Sequence, residues 1–400
     1  MRRTFIRTLV PLAAIALIAG ACSDDDDATD SSDADITLAP EAEAGVDSVA
    51  TGDTAADTTP ADTAAAGPGS TADTAEEVQA GDSLLDTVKA NGSLKCGVND
   101  AVAGFSVVDD AGDYVGFDAD FCRVIAAAVL GDATAVEFVP VAADARFPAL
   151  QAGEIDVLVR NTTWTASRDG SLGATFLHPT FYDGQQMMVA ADSGYTGIDD
   201  MDGAVVCVIG GTTTEGNVAS EFAARGLTVQ VSSFENVDLV QAAFQEGSCD
   251  GWSSDGSQLA SRRAGYPDGP DSLVIFDDVF SKEPLTPAVI DGDTAWAQAV
   301  EWAIFATIGA EELGITSETA EADAAGDDAA KVLFLTGGNV DGTTLDPGLG
   351  LPTDYALQVV SQVGNYAEIF DANLGPIGIE DRGLNALWSD GGLQYSPPYR

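Results

Sequence analysis

Two successive runs of alternating strand and helix signals constrain this chain more than any other feature. The first run opens with the apolar stretch SLKCGV (93–98). FDADFCRVIAAAVLG (117–131) follows, with Phe117, Phe121, Val124, Ile125, Ala128 and Val129 on one helical face and Gly131 as the stop. Strand AVEFVPV (135–141), helix DARFPALQAG (144–153) and strand IDVLVR (155–160) complete it. The second run has strands VVCVIG (205–210), LTVQVSSF (227–234) and CDGWSSD (249–255). They alternate with helices TEGNVASEFAARG (214–226), VDLVQAAFQEG (237–247) and GSQLASRRAG (256–265). Repeated strand–helix–strand units fold as a mostly parallel sheet flanked by helices, so two series predict two α/β lobes. QQMMVAAD (185–192) and LTPAVIDGD (285–293) read as the crossovers between them. Lobe 1 is then 82–188 and 288–400, with the helix-rich stretch from Ala295 onward rejoining it, and lobe 2 is 189–287.

The ends of the chain obey different rules. Arg2, Arg3 and Arg7 precede the apolar run LVPLAAIALIA (9–19), the layout of a signal peptide over residues 1–21. That run is too short for a stable membrane-spanning helix. It leads through IAGAC to Cys22, which resembles a bacterial lipobox, although Ala19 stands where leucine is commoner. The resemblance implies cleavage before Cys22 and lipid on its sulfur; the alternative is an ordinary signal peptide with Cys22 incidental. Residues 23–80 carry 16 acidic side chains, no basic ones and no aromatics. Such a segment buries too little apolar surface to offset chain entropy, so 22–81 reads as an anchored, disordered, self-repelling tether.

The remaining residues, 81–400, hold 13 Lys+Arg against 49 Asp+Glu, a net charge of −36. That balance excludes general binding of nucleic acid through a basic surface. The run AWAQAVEWAIFATIGA (295–310) is interrupted by Gln298 and Glu301 and reads as an amphipathic or buried helix, not a membrane span. Apart from Cys22, four cysteines remain, and outside the cytoplasm four are more often paired than free. Three connectivities exist. Pairing within each lobe gives Cys96–Cys122 and Cys207–Cys249, with buried free thiols as the alternative. A single histidine, His178, excludes HExxH and any two-histidine metal site and argues against a Ser-His-Asp triad. No catalytic residue, metal or cofactor is expected.

In open α/β sheets ligands sit beyond the carboxyl ends of the strands, so the default site is a cleft between the lobes. Arg160 closes a strand there, and RNTTWTASR (160–168) would line the cleft. An arginine fork grips a carboxylate with two charge-assisted hydrogen bonds. From the other lobe, IGGTTTEGN (209–217) offers glycines and threonines at a strand-to-helix turn, where a helix N-terminus favours negative charge. Asp255 lies just past another strand end, placed to hold an ammonium group or to cap the following helix. Arginine and hydroxyls opposite an aspartate suit a zwitterion, which is what a free amino acid is.

Several long stretches resemble one family. LKCGV, GFDADFCRVIAAAVLGDA, ALQAGEIDVLVRNTTWTASRD, GTTTEGN, KEPLTPAV, VGNYAEIFDANLGP and RGLNALWSDGGLQYSPPYR are similar to the polar amino-acid solute-binding proteins of bacterial ABC transporters, in particular the general L-amino-acid-binding (Aap and Bzt) type. The likeness runs from about residue 82 to 400. It implies a type II periplasmic-binding-protein fold: two α/β lobes, two hinge crossovers, and closure over ligand. It implies L-amino acids as ligands, broad with a polar or acidic preference, and ABC permease subunits as partners. It places the protein, a monomer, in the periplasm or lipid-anchored at the outer face of the cytoplasmic membrane.

The resemblance also assigns roles. Arg168, twelve residues after Asp156, matches the clamp for the ligand α-carboxylate. Asn161 and Thr163 match donors to the ligand backbone, Thr212 and Thr213 the second lobe's carboxylate donors, and Asp255 the acceptor for the α-ammonium. Asn99 departs from the pattern: relatives that read cationic side chains have aspartate there, which argues against dedicated Lys, Arg or His binding. Arg160 is a candidate reader of a side-chain carboxylate or amide, or else the partner of a framework acid. Phe105 and Trp164 are candidates for stacking on ligand or for core packing. The rival readings are an enzyme on the same scaffold, dehydratase-like, and a sensor acting through a separate receptor.

Overall fold

A computed structural model describes residues 83–339 and 341–400; the signal peptide, Cys22 and the acidic tether expected above lie outside the described residues. Helix α1 (Leu84–Asn91) leads into strand β1 (Leu94–Val98). Strand β1 lies between the parallel neighbours β5 (Val136–Pro140) and β6 (Val157–Leu158). Strands β15 (Ala288–Ile290) and β7 (Ala174–Phe176) extend this first sheet antiparallel, in the order β5-β1-β6-β15-β7. A small antiparallel meander, β2 (Ala101–Val102), β3 (Ser106–Val108) and β4 (Tyr114–Val115), sits beside it.

The second sheet has the order β11-β10-β12-β9-β13. It is formed by β9 (Gln185–Ala190), β10 (Ala204–Ile209), β11 (Val229–Phe234), β12 (Gly251–Asp255) and β13 (Leu273–Ile275). Helices α5 (Thr213–Ala224), α6 (Val237–Gln245) and α7 (Gly256–Ala264) connect its strands. Both sheets are therefore predominantly parallel at the centre and antiparallel at one side, the two-lobe α/β architecture expected.

Between the lobes the chain passes through β8 (Phe181–Asp183) and returns through β14 (Glu283–Leu285), which form a two-stranded sheet, with Leu285 also bridged to Thr163. The run 185–192, read from sequence as a crossover, is instead β9, a full member of the second sheet, so the change of lobe falls before residue 185 rather than at 188. The reason is burial: Met187, Met188 and Val189 are fully buried, and an apolar run of that kind belongs inside a sheet, not across a hinge. The return likewise falls at 283–285, ahead of β15.

Helix α2 (Phe117–Leu130) was expected to bury one face. It is buried almost all round, because α8 (Thr294–Glu312) and α11 (Tyr355–Gln362) pack on the side away from the sheet. Helices α8, α9 (Ala320–Ala324), α10 (Ala329–Thr336), α11 and α12 (Tyr366–Leu374) share one hydrophobic core with β1 and α2. No helix of the described residues is long and apolar enough to cross a membrane. Cys96 is bonded to Cys122, tying β1 to α2, and Cys207 to Cys249, tying β10 to the approach of β12; this is the within-lobe pairing.

Candidate functional site

The carboxyl ends of both sheets meet in a narrow, polar cavity. All eight predicted residues line it: Asn99, Arg160, Asn161, Thr163 and Arg168 from the first lobe, and Thr212, Thr213 and Asp255 from the second. Phe105 and Trp164 do not line it. Phe105 is core, edge-on to Phe117 and Phe181, and Trp164 stacks on Phe176 with its outer face exposed.

The first-lobe wall is the stretch after β6. Asn161 holds φ +31°, the only non-glycine residue with positive φ among those described, and asparagine tolerates this region better than most. That turn aims its N–H at the Asp118 carboxylate, 2.8 Å away on α2. Residues 162–164 are then laced to the return crossover: Thr286 N–H donates to Thr162 O at 2.9 Å, and Trp164 N–H to Pro284 O at 2.9 Å. Thr165 caps the short helix α4 (Ala166–Ser171), accepting from Arg168 N–H at 3.2 Å. Arg168 therefore folds back over its own loop, Nη1 donating to Thr163 O at 2.8 Å and its charge lying 5.6 Å from the Phe147 ring centre.

Two further arginines reach the cavity. Arg160 is buried, with Nε donating to Val141 O at 2.7 Å; burial lowers its pKa to about 10 against the supporting charges of Asp118 and Asp100. Asp118 is the first of the acids whose charge supports it, though the two form no ion pair, and burial raises that carboxyl to about 6. Arg146, the first residue of α3 (Arg146–Gln151), was not singled out in the sequence. It is 3% exposed, and its Nε has no hydrogen-bond partner. Burial, and then repulsion by Arg160 and Arg168, push its pKa well below the usual value. Among the described residues none of the three guanidiniums is ion-paired. The one signal that could have found Arg146 is its place beside Phe147 in an otherwise apolar helix.

The second-lobe wall is the β10–α5 turn. Both threonine hydroxyls named there are used inside the protein: Thr212 Oγ1 donates to Ile209 O at 2.6 Å, and Thr213 Oγ1 donates to Glu283 at 2.9 Å. No side chain caps α5. Its first-turn N–H groups lack intrahelical acceptors, so the main chain, not the hydroxyls, offers the free donors at this corner. Asp255 occupies the position that begins α7, yet makes no capping bond. Asp183 does that work, accepting from Ser257 N–H at 3.2 Å, which leaves Asp255 uncommitted. Asp255 is 7% exposed. Burial raises its pKa well above 3.8, helped by Asp183 and Glu283 and opposed by Arg146 and Arg168. Glu283 and Asp183 were also missed in the sequence, because their importance comes from the crossover pairing that sets them opposite each other.

Residues 94–324 match the bacterial extracellular solute-binding proteins, family 3. The chain belongs to this family. Within it, the general L-amino acid-binding periplasmic protein AapJ of Rhizobium johnstonii is 45% identical over 319 residues, covering 79% of this chain and 92% of that protein. The glutamate/glutamine/aspartate/asparagine-binding protein BztA of Rhodobacter capsulatus is 44% identical over 321 residues, covering 80% and 94%. Among solved structures, an ABC transporter periplasmic binding protein from Brucella ovis with glutathione bound is 41% identical. It covers 80% of this chain and 100% of its own, with a TM-score of 0.77. The fold is the type II two-lobe fold of family 3 solute-binding proteins.

Proposed function

We propose that this solute-binding protein captures free L-α-amino acids, prefers acidic and amide side chains, and delivers them to an ABC permease. The observation that carries the reading is the charge of the cavity: three guanidiniums without an ion pair and one uncommitted carboxylate converge on it. A dipolar head uses one of each. Arg168 and the α5 N-terminus take the α-carboxylate, and Asp255 takes the α-ammonium. Arg146 and Arg160 then remain as guanidiniums without an ion pair, whose charge a side-chain carboxylate neutralises and an amide oxygen partly satisfies. The names of AapJ and BztA agree with that ligand class. The same relatives are named as binding proteins, which supports capture rather than catalysis. Closure over ligand is the family's mechanism; here it amounts to bringing the second-lobe wall onto a head first held by Arg168.

The leader and Cys22 support export and a lipid tether, with the mature chain working outside the cytoplasm. Calorimetric titration of the mature chain with L-amino acids tests the reading. Glutamate, aspartate, glutamine and asparagine should bind, and 4-aminobutyrate and the other α-decarboxylated amines should not. Equal binding of an amino acid and its decarboxylated amine would refute the head-group assignment.

A further inference from the structure

The two lobes are closed on each other. Ala101 and Ala143 of the first lobe pack into the second lobe's core cluster around Cys207 and Trp252. Arg146 Nη2 reaches Gly211 O across the cavity at 3.5 Å. A further contact between the lobes lies outside the cavity. Arg262, in the last turn of α7, donates from Nη2 to the main-chain carbonyl of Ala101 on β2. Its Nη1 is held within the second lobe by two residues of α6, Asp238 at 2.8 Å and Gln241 at 3.2 Å. The in-lobe acceptors do not depend on closure, and because the guanidinium is a planar fork they aim Nη2 at the place where Ala101 O arrives. Helix α7 presents this side chain on its cavity face: Asp255, Gln258 and Arg262 follow one another at spacings of three and four, and the first two line the cavity. Gly256, Ala260 and Arg263 take the other face, beside Tyr182 of the crossover strand β8. Among the described residues Arg263 makes no ion pair.

We propose that Arg262 is a closure latch, a positioning residue that strengthens capture without touching the ligand. This rests on the reading of the cleft as a site that closes over amino acids. Opening breaks the bond to Ala101 O and leaves those to Asp238 and Gln241 intact, so the Nη2 contact favours the closed state alone. Its acceptor is main chain and lies off the cavity, so the gain is the same whichever side chain the ligand carries. A group that stabilises only the closed form tightens every ligand by one common factor.

The test is calorimetry and stopped-flow binding on the mature chain with L-glutamate, L-aspartate and L-glutamine. Arg262→Ala should weaken all three by one factor, about tenfold, for the loss of a hydrogen bond from a charged donor. The off-rate should carry that factor and the on-rate should stay unchanged. Arg263→Ala removes the same charge one residue along, on the opposite face, and should leave all three affinities as they are. Unchanged affinity in Arg262→Ala, or an equal loss in Arg263→Ala, overturns the latch and leaves the amino-acid reading intact. A loss larger for glutamate and aspartate than for glutamine, or one carried by the on-rate, would make Arg262 a source of attraction for anionic ligands and overturns the latch as well. Asp238→Ala keeps Arg262 and removes its exposed holder, so a uniform loss of about two- to fivefold is expected, and no loss counts against the latch. Failure of the wild-type chain to bind any of the three overturns both readings.

Discussion

Thr213 Oγ1 donates to the Glu283 carboxylate at 2.9 Å, joining the first residue of a cavity-facing helix in the second lobe to the strand by which the chain returns to the first. The same carboxylate accepts from Asn217 Nδ2 at 2.9 Å, and Glu283 is 1% exposed. Its charge is also the foremost support for Arg168, ahead of Asp255. The crossover thus positions donors on both sides of the cavity.

Glu283→Ala leaves the half-buried Thr213 hydroxyl and Asn217 amide without their acceptor. A fully buried group so stranded costs about 1–3 kcal/mol, and partial exposure reduces that. The empty protein should melt several degrees lower, and amino-acid affinity should fall with it. Unchanged melting by differential scanning calorimetry would show that the α5 N-terminus is not held through this carboxylate.

Arg168→Ala should abolish measurable amino-acid binding. Removing one partner of a buried charged contact costs about 2–5 kcal/mol, roughly 30- to 5,000-fold in Kd. The melting temperature of the empty protein should change little, since Arg168 is only half-buried and has no ion pair to lose. Retained affinity in titration calorimetry would reject the clamp.

Arg146→Met should act in the opposite sense on stability. The wild-type guanidinium is buried, unpaired and repelled by two others, and an apolar isostere removes that cost. The empty variant should melt higher than wild type. Glutamate and aspartate should lose at least about tenfold more affinity than alanine. Equal losses for all ligands would place Arg146 on the shared head group instead.

Acid should move stability and affinity apart. Burial raises Asp118 and Asp183 from 3.8 to about 6, and Asp255 rises as well. Each carboxyl holds its proton more tightly folded than unfolded. Its stabilising contribution is therefore complete below the unfolded pKa and is lost as pH rises through the folded one. The empty protein should melt higher at pH 5 than at pH 8. Amino-acid affinity should fall over the same acidification, because Asp255 accepts an ammonium only when ionised. Relief of self-repulsion in so acidic a chain also favours the folded state in acid. Asp183→Asn separates the two: it should flatten the melting profile between pH 4 and about 6. An unaltered profile would assign the trend to net charge alone.

What the sequence determined is what local chemistry carries. Strand and helix periods gave the two α/β series, the within-lobe cysteine pairs follow from those series, Arg160 and Asp255 stood out because open sheets bind ligands beyond their strand ends, and Arg168 was picked out by the family resemblance. A scarce cation beside hydroxyls in a chain of net charge −49 was already conspicuous. Tertiary structure decided what depends on residues distant in sequence. Asp255 heads a helix and would by local rules be its cap; only the arrival of Asp183, 72 residues earlier in the chain, relieves it of that bond. The Thr212 and Thr213 hydroxyls read as ligand donors until Ile209 O and Glu283 claim them, leaving the helix main chain in their place. Arg146, which nothing in the sequence singled out, became a third buried guanidinium. A hydrogen-bond donor or a charge acquires its role from whichever partner desolvation forces upon it, and long-range packing chooses that partner.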